Sequence, residues 1–192
     1  SGLTADQVAR DILNRGGLAV EVEHVNGNLT DHYDPKDRTL RLSDSVYGSR
    51  SLSAIGVAAH EAGHAFQHAN GYTPLSLRSN LVPVANLGST LGMPLVFIGL
   101  IFSIPILMEL GIVFFSFAVL FGLVTLPVEF NASTRAIQIL SNGGYLTREE
   151  VPAAQKVLNA AAWTYVASAI VAILSLLRLL ILSGILGGGD DD

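Results

Sequence analysis

Apolar positions recur along the chain with different periods, and each change of period marks a change of element. Near the start, Ala5, Val8 and Ile12 keep helical spacing behind a Thr4–Gln7 capping-box pair, until Gly16-Gly17 stops the turn. A short amphipathic helix is expected there. Over residues 18–26 the period drops to two, with Val20 and Val22 opposite Glu21 and Glu23, and residues 39–42 repeat the alternation after the turn-rich Asp34-Pro35-Lys36-Asp37. These runs predict a small antiparallel sheet. Helical spacing then returns through Leu52, Ile55, Ala59, Gly63 and Phe66, with Ser51 or Ser53 available as the cap and Asn70-Gly71 as the stop.

Beyond residue 80 the pattern is no longer amphipathic. Residues 81–128 carry a single charge, Glu109. That run is too long for one buried helix and suits a hairpin of two spans, each needing roughly 20 residues to cross about 30 Å of hydrocarbon. Glu109 is expected at the turn, since a carboxylate at mid-bilayer is costly, and Pro94 and Pro105 are expected to bend the first span. A third span is read from about residue 163 to 183, with Trp163 and Tyr165 in the headgroup region and Arg178 close enough to the far end to snorkel. Core helices of a soluble all-α protein are the alternative, which runs of this length disfavour. The chain thus divides into residues 1–80, carrying the first part of a polar domain; 81–128, a transmembrane hairpin; 129–160, a second polar helical segment; and 161–186, a C-terminal transmembrane helix. The fold class is α+β.

Composition agrees with the membrane reading. Half of the 192 residues are hydrophobic and only 14% are charged, against about 25% in ordinary soluble domains. A net charge of -5 with eleven scattered Lys and Arg gives no basic face for nucleic acid. Arg78, Arg135, Arg148 and Lys156 flank the spans on the polar-domain side, while Glu109 and the acidic tail lie on the other. The positive-inside rule therefore predicts an integral membrane protein with its polar domain in the cytoplasm, Arg178 being the one discordant residue. No basic n-region precedes an apolar run, so no cleavable signal peptide is expected. Residues 187–192 are read as a flexible acidic end.

With no cysteine, any zinc site must be built from His and carboxylate. The second helix-forming stretch contains AAHEAGHAFQHA, which supplies such groups. His60-Glu61-Ala62-Gly63-His64 is H-E-x-x-H, and on a helix the two imidazoles differ by only about 40° and can face one ion. Glu61 projects about 60° from His64, near enough to act as general base on an attacking water without coordinating. The competing reading is a solvated polar face. Catalytic zinc takes three protein ligands and keeps one position open, so a third donor is required. His68 lies about 12 Å along the axis from His60, and positions i, i+4 and i+8 do not converge on a tetrahedral ion. His24 and His32, set among charges in the sheet region, are read as surface residues. Glu129 is the better candidate, because Ala132, Ser133 and Ala136 share its face, and Ala59 and Gly63 on the first helix permit close approach.

The order H-E-A-G-H, a membrane hairpin, then V-E-F-N-A-S-T-R-A resembles the YugP-type membrane zinc metallopeptidases and, more distantly, the HtpX-type proteases. The likeness extends through SGLTADQVAR and LTDHYDPKDRTLRLS, nearly the whole chain. It implies a gluzincin-like helix pair, Zn2+ held by His60, His64 and Glu129, Glu61 as base, and substrates that are peptides or membrane proteins. It further implies another membrane helix ahead of Ser1 and a role in protein quality control. HtpX-type enzymes carry Asp four residues after the glutamate ligand, where this chain has Ser133, so Ser133, Asn131 or a backbone carbonyl must support the histidine ligands instead.

Residues 39–42 are the candidate edge strand for substrate alignment, by analogy with other zincins. Arg135, Tyr72 and Tyr145 are available on chemical grounds to stabilise the oxyanion, and nothing in the sequence selects among them. Two rival functions remain. A site-2-type intramembrane protease would need an aspartate within a span, and the spans contain none. A non-catalytic membrane scaffold or chaperone that keeps a zinc peptidase fold would have no need of Glu61.

Overall fold

A computed structural model describes residues 2–184; the acidic end, residues 187–192, lies outside them. Five helices and three short strands run in the order α1 (Ala5–Arg15), β1 (Glu21–His24), β2 (His32–Asp34), β3 (Thr39–Leu42), α2 (Leu52–Ala69), α3 (Thr73–Ile101), α4 (Pro105–Asn142) and α5 (Val151–Leu182). The protein is mostly helical, with a small three-stranded sheet and three helices long and apolar enough to cross a membrane. The chain forms two compact units: one from Ser1–Leu75 and Pro127–Trp163, the other from Ser76–Leu126 and Thr164–Asp192.

In the first unit, local chemistry sets the ends of α1 and α2. The Thr4 amide donates to Gln7 Oε1 at 3.0 Å, and after Arg15 the chain turns through Gly16 into Gly17, whose φ of 68° a side chain would strain. Ser51 Oγ accepts the Ala54 amide at 3.2 Å at the start of α2. Val8, Ile12 and Leu13 of α1 pack with Ile55, Ala58 and Ala62 of α2 and with Leu40 and Leu42 of β3 in one core, which Ala136 and Leu140 of α4 and Leu158 of α5 complete. One face of α2 is thus committed to the core. Another is left for His60, Glu61 and His64.

The sheet differs from the antiparallel one expected. Its order is β1-β3-β2: β3 pairs antiparallel with β2 across the 34–39 turn, but parallel with β1. Period-two alternation reports which residues share a face and says nothing of strand direction, and β2, only three residues long, carries too little pattern to be noticed. A second expectation falls with it. Strand β3 has both edges hydrogen-bonded, so it cannot receive a substrate strand; the open edges belong to β1 and β2.

The second unit also corrects the expected turn. The hairpin reverses at Phe102–Ile104 rather than at Glu109, which lies in the first turns of α4. Ser103 adopts φ 53°, and Pro105, instead of bending the first span, opens α4 at a position where its missing N–H costs nothing. The prolines inside α3 are Pro83 and Pro94. Helices α3 and α4 meet through glycine: a Cβ on Gly111 would come within 2.6 Å of the Gly92 carbonyl oxygen and 2.7 Å of the Val96 nitrogen. Large apolar side chains such as Phe97, Ile101, Val171 and Ile181 stand exposed along these helices, the surface expected of helices solvated by lipid.

Candidate metal centre

The site is built where α2 meets the part of α4 that belongs to the same unit. Gly63 makes the approach possible, because a Cβ there would lie 2.8 Å from the Ala132 carbonyl oxygen and 3.3 Å from its Cα. The two backbones touch with no side chain between them. This brings Glu129, 69 residues away in sequence, to His60: Glu129 Oε2 is 3.1 Å from His60 Nε2 and 3.7 Å from His64 Nε2. One ligand atom from each of His60, His64 and Glu129 lies within 4.8 Å of the others. A tetrahedral zinc with bonds of roughly 2.0–2.1 Å separates its donors by about 3.3 Å, which the two shorter distances bracket.

The far side of the His64 imidazole fixes its tautomer. His60 Nδ1 is 3.1 Å from Ser133 Oγ, and His64 Nδ1 is 2.9 Å from Gln67 Oε1. The Gln67 amide has a determined orientation, since its Nε2 donates to the Val128 carbonyl oxygen at 2.8 Å and to Asn131 Oδ1 at 3.0 Å, so its oxygen must face His64 and accept. His64 then carries its proton on Nδ1 and turns the Nε2 lone pair toward Glu129. The Ser133 hydroxyl can accept from His60 in the same way, and the two Nε2 lone pairs then converge with the Glu129 carboxylate on a position suited to a cation. The donor set therefore fits zinc. Burial alone would push the His64 imidazole down, but its bond to Glu129 and the charges of Glu61 and Glu129 hold it above the ordinary histidine value. Even toward a proton, the site favours positive charge.

Glu61 stands beside these donors and is 9% exposed, yet it makes no hydrogen bond or ion pair among the described residues. Its carboxylate is uncommitted. Of the supports expected from sequence, Ser133 reaches the His60 imidazole directly. Asn131 acts one step back, through Gln67, and Arg135 Nε donates to Asn131 Oδ1 at 2.7 Å instead of facing the open side of the site. Tyr72 Oη lies 3.5 Å from the Pro127 carbonyl oxygen, and Tyr145 Oη donates to Asp11 at 2.7 Å. His24 pairs with Asp44 at 2.6 Å, His32 faces the Thr30 carbonyl, and His68 bonds Tyr33; none joins the metal group.

Gln67 was not legible as a functional residue. A glutamine three positions past His64 looks like surface polarity until α4 arrives with Val128 and Asn131, and the i, i+3 spacing to a histidine ligand was the one available signal. Replacing it by leucine should weaken zinc binding by roughly 10–100-fold, because the imidazole loses its orientation and not its lone pair. Competition titration against a chromophoric chelator measures this. Unaltered affinity would remove Gln67 from the site.

The family model for "Putative neutral zinc metallopeptidase" matches residues 1–184, and the chain belongs to that family. It is similar to the Bacillus subtilis (strain 168) protein described as "Putative membrane protease YugP", at 50% identity over 194 residues that span 100% of this chain and 85% of that protein. No solved structure matches the chain. Zinc is the cofactor of the family, and His60, His64 and Glu129 are the residues of this chain that could hold it.

Proposed function

We propose that the chain is a membrane-anchored zinc endopeptidase of the gluzincin type, with His60, His64 and Glu129 as ligands and Glu61 as general base. Residues 1–80 and 129–160 supply the peptidase part, and residues 81–128 and 161–186 the membrane part. The observation that carries the reading is the convergence of three lone-pair donors within 4.8 Å beside an uncommitted, largely buried carboxylate. A scaffold that held metal for stability alone would have no use for Glu61 in that state.

Zinc, when bound, supplies a Lewis acid that polarises the scissile carbonyl and acidifies water at the open fourth position. The protein's own groups do the rest. Glu61 accepts the proton of the attacking water and returns it to the departing amine, so one carboxylate serves both halves of the reaction. Ser133 and Gln67 keep the imidazoles in the tautomer that presents Nε2. The distribution of Arg and Lys around the apolar segments supports a cytoplasmic location for the peptidase part. Glu129 follows the apolar run within two residues of Pro127 in the sequence, which favours membrane proteins or peptides presented at the bilayer as substrates. A role in quality control accords with the likeness to HtpX-type proteases.

The test uses the full chain in detergent with an unfolded, internally quenched peptide. Cleavage should vanish on removal of metal with a chelator and return with about one equivalent of zinc. Cleavage that survives complete metal removal overturns the proposal, and so does a zinc-loaded protein that cuts nothing.

A further inference from the structure

Helix α2 also lines a second cavity, of about 320 Å³, lying between Leu18 ahead of β1, Tyr33 of β2, Arg38 of the β2–β3 turn, and Ala65, His68 and Ala69. Its volume is at the small end of the roughly 300–1,000 Å³ of ligand pockets, enough for a single side chain. Its place on α2 relates it to the chemistry. At 100° per residue the helix presents His60 and His64, then Glu61, then Ala65 and Ala69 in order around its surface, with His68 close to the line of Glu61. Ala65 and His68 lie about 6 Å and 10 Å beyond Glu61 along the axis. An extended peptide advances about 3.3 Å per residue, so a residue two or three from a bond held beside Glu61 reaches the cavity.

The lining is uneven in charge. Tyr33 Oη and His68 Nδ1 are 2.8 Å apart, giving the cavity two linked hydrogen-bonding rings. Arg41 bonds Asp37, reaches Glu23 at 3.2 Å and stands 4.0 Å from Asp34, which ties these carboxylates to one cation. The Arg38 side chain makes no hydrogen bond or ion pair among the described residues, its carbonyl accepts the Glu21 amide at 3.1 Å, and the residue is held at φ 55° in the tight turn at the cavity wall. Its guanidinium acts on Tyr33 together with the charges of Asp34 and Asp37, and it is the cation that lines the cavity beside an apolar floor of Leu18, Ala65 and Ala69. A side chain with methylenes and a terminal carboxylate matches both features.

We propose that this cavity is a specificity subsite that receives an acidic side chain, Glu or Asp, two or three residues from the scissile bond, with Arg38 as its charge partner and the Tyr33–His68 pair as its hydrogen-bonding wall. The assignment rests on the peptidase reading above. The test takes one peptide that the zinc-loaded full chain cleaves and places Glu, Gln or Lys in turn at each of the three positions on either side of the cut. At one position Glu should exceed Lys by about five- to tenfold in kcat/KM, the range expected of a partly exposed charge pair. Arg38→Gln should flatten that preference, and Arg38→Glu should invert it. The order of Kd values for the same peptides on the uncleaving Glu61→Gln protein, measured by fluorescence anisotropy, should follow. Peptides cut with no acidic preference, or a preference that Arg38→Glu leaves intact, overturns the subsite and spares the peptidase reading. No cutting of any peptide by zinc-loaded protein overturns both.

Discussion

Glu61→Gln should leave the protein with a full equivalent of zinc and lower peptide cleavage by roughly 10²–10⁴-fold, the span that a positioned general base contributes. The reasoning is local. The Glu61 side chain makes no hydrogen bond or ion pair among the described residues, so an amide of the same shape costs α2 no such contact. It removes only the lone pair that takes the proton of the attacking water. Metal analysis and turnover on the same purified sample separate the two effects. Zinc retained with undiminished cleavage would show that some other group carries the proton, and zinc lost in step with cleavage would make Glu61 a ligand.

Glu129→Ala should behave in the opposite way, losing metal first and activity as a result. Two imidazoles alone hold zinc weakly, so affinity should fall by more than the roughly 10–100-fold that follows loss of an outer hydrogen-bond partner. Glu129 is 3% exposed, and its carboxylate is the anionic member of the donor set. Without it His60 and His64 face an apolar gap beside Val128 and Ala132, both fully buried. His68→Ala is the matched control, because His68 bonds Tyr33 and lies outside the donor group. If Glu129→Ala keeps its zinc and its rate while His68→Ala loses them, the ligand set has been drawn wrongly.

Much of this site is legible along the chain. The H-E-x-x-H turn fixes the relation of His60, Glu61 and His64 through helix geometry alone, and Gly63 with Ala132 marked where two helices could touch. What escaped depended on partners distant in sequence. Gln67 acquires its orientation only from Val128 and Asn131, and the direction of β1 relative to β3 is set by how the chain returns, which alternation of side chains cannot encode. The hairpin turn was misplaced for a different reason. A lone Glu109 looked like the cheapest residue to leave outside lipid, whereas Ser103 and Pro105 supply the backbone geometry that a reversal needs.

The 69-residue gap between His60 and Glu129 has a consequence for how the protein is made. On the ribosome, the histidine pair emerges long before its carboxylate partner, and every residue of the intervening apolar hairpin must be synthesised in between. A nascent chain that stalls anywhere in that stretch carries the histidine pair without Glu129. The donor set can therefore close only after the hairpin has been made, and α5 is synthesised later still.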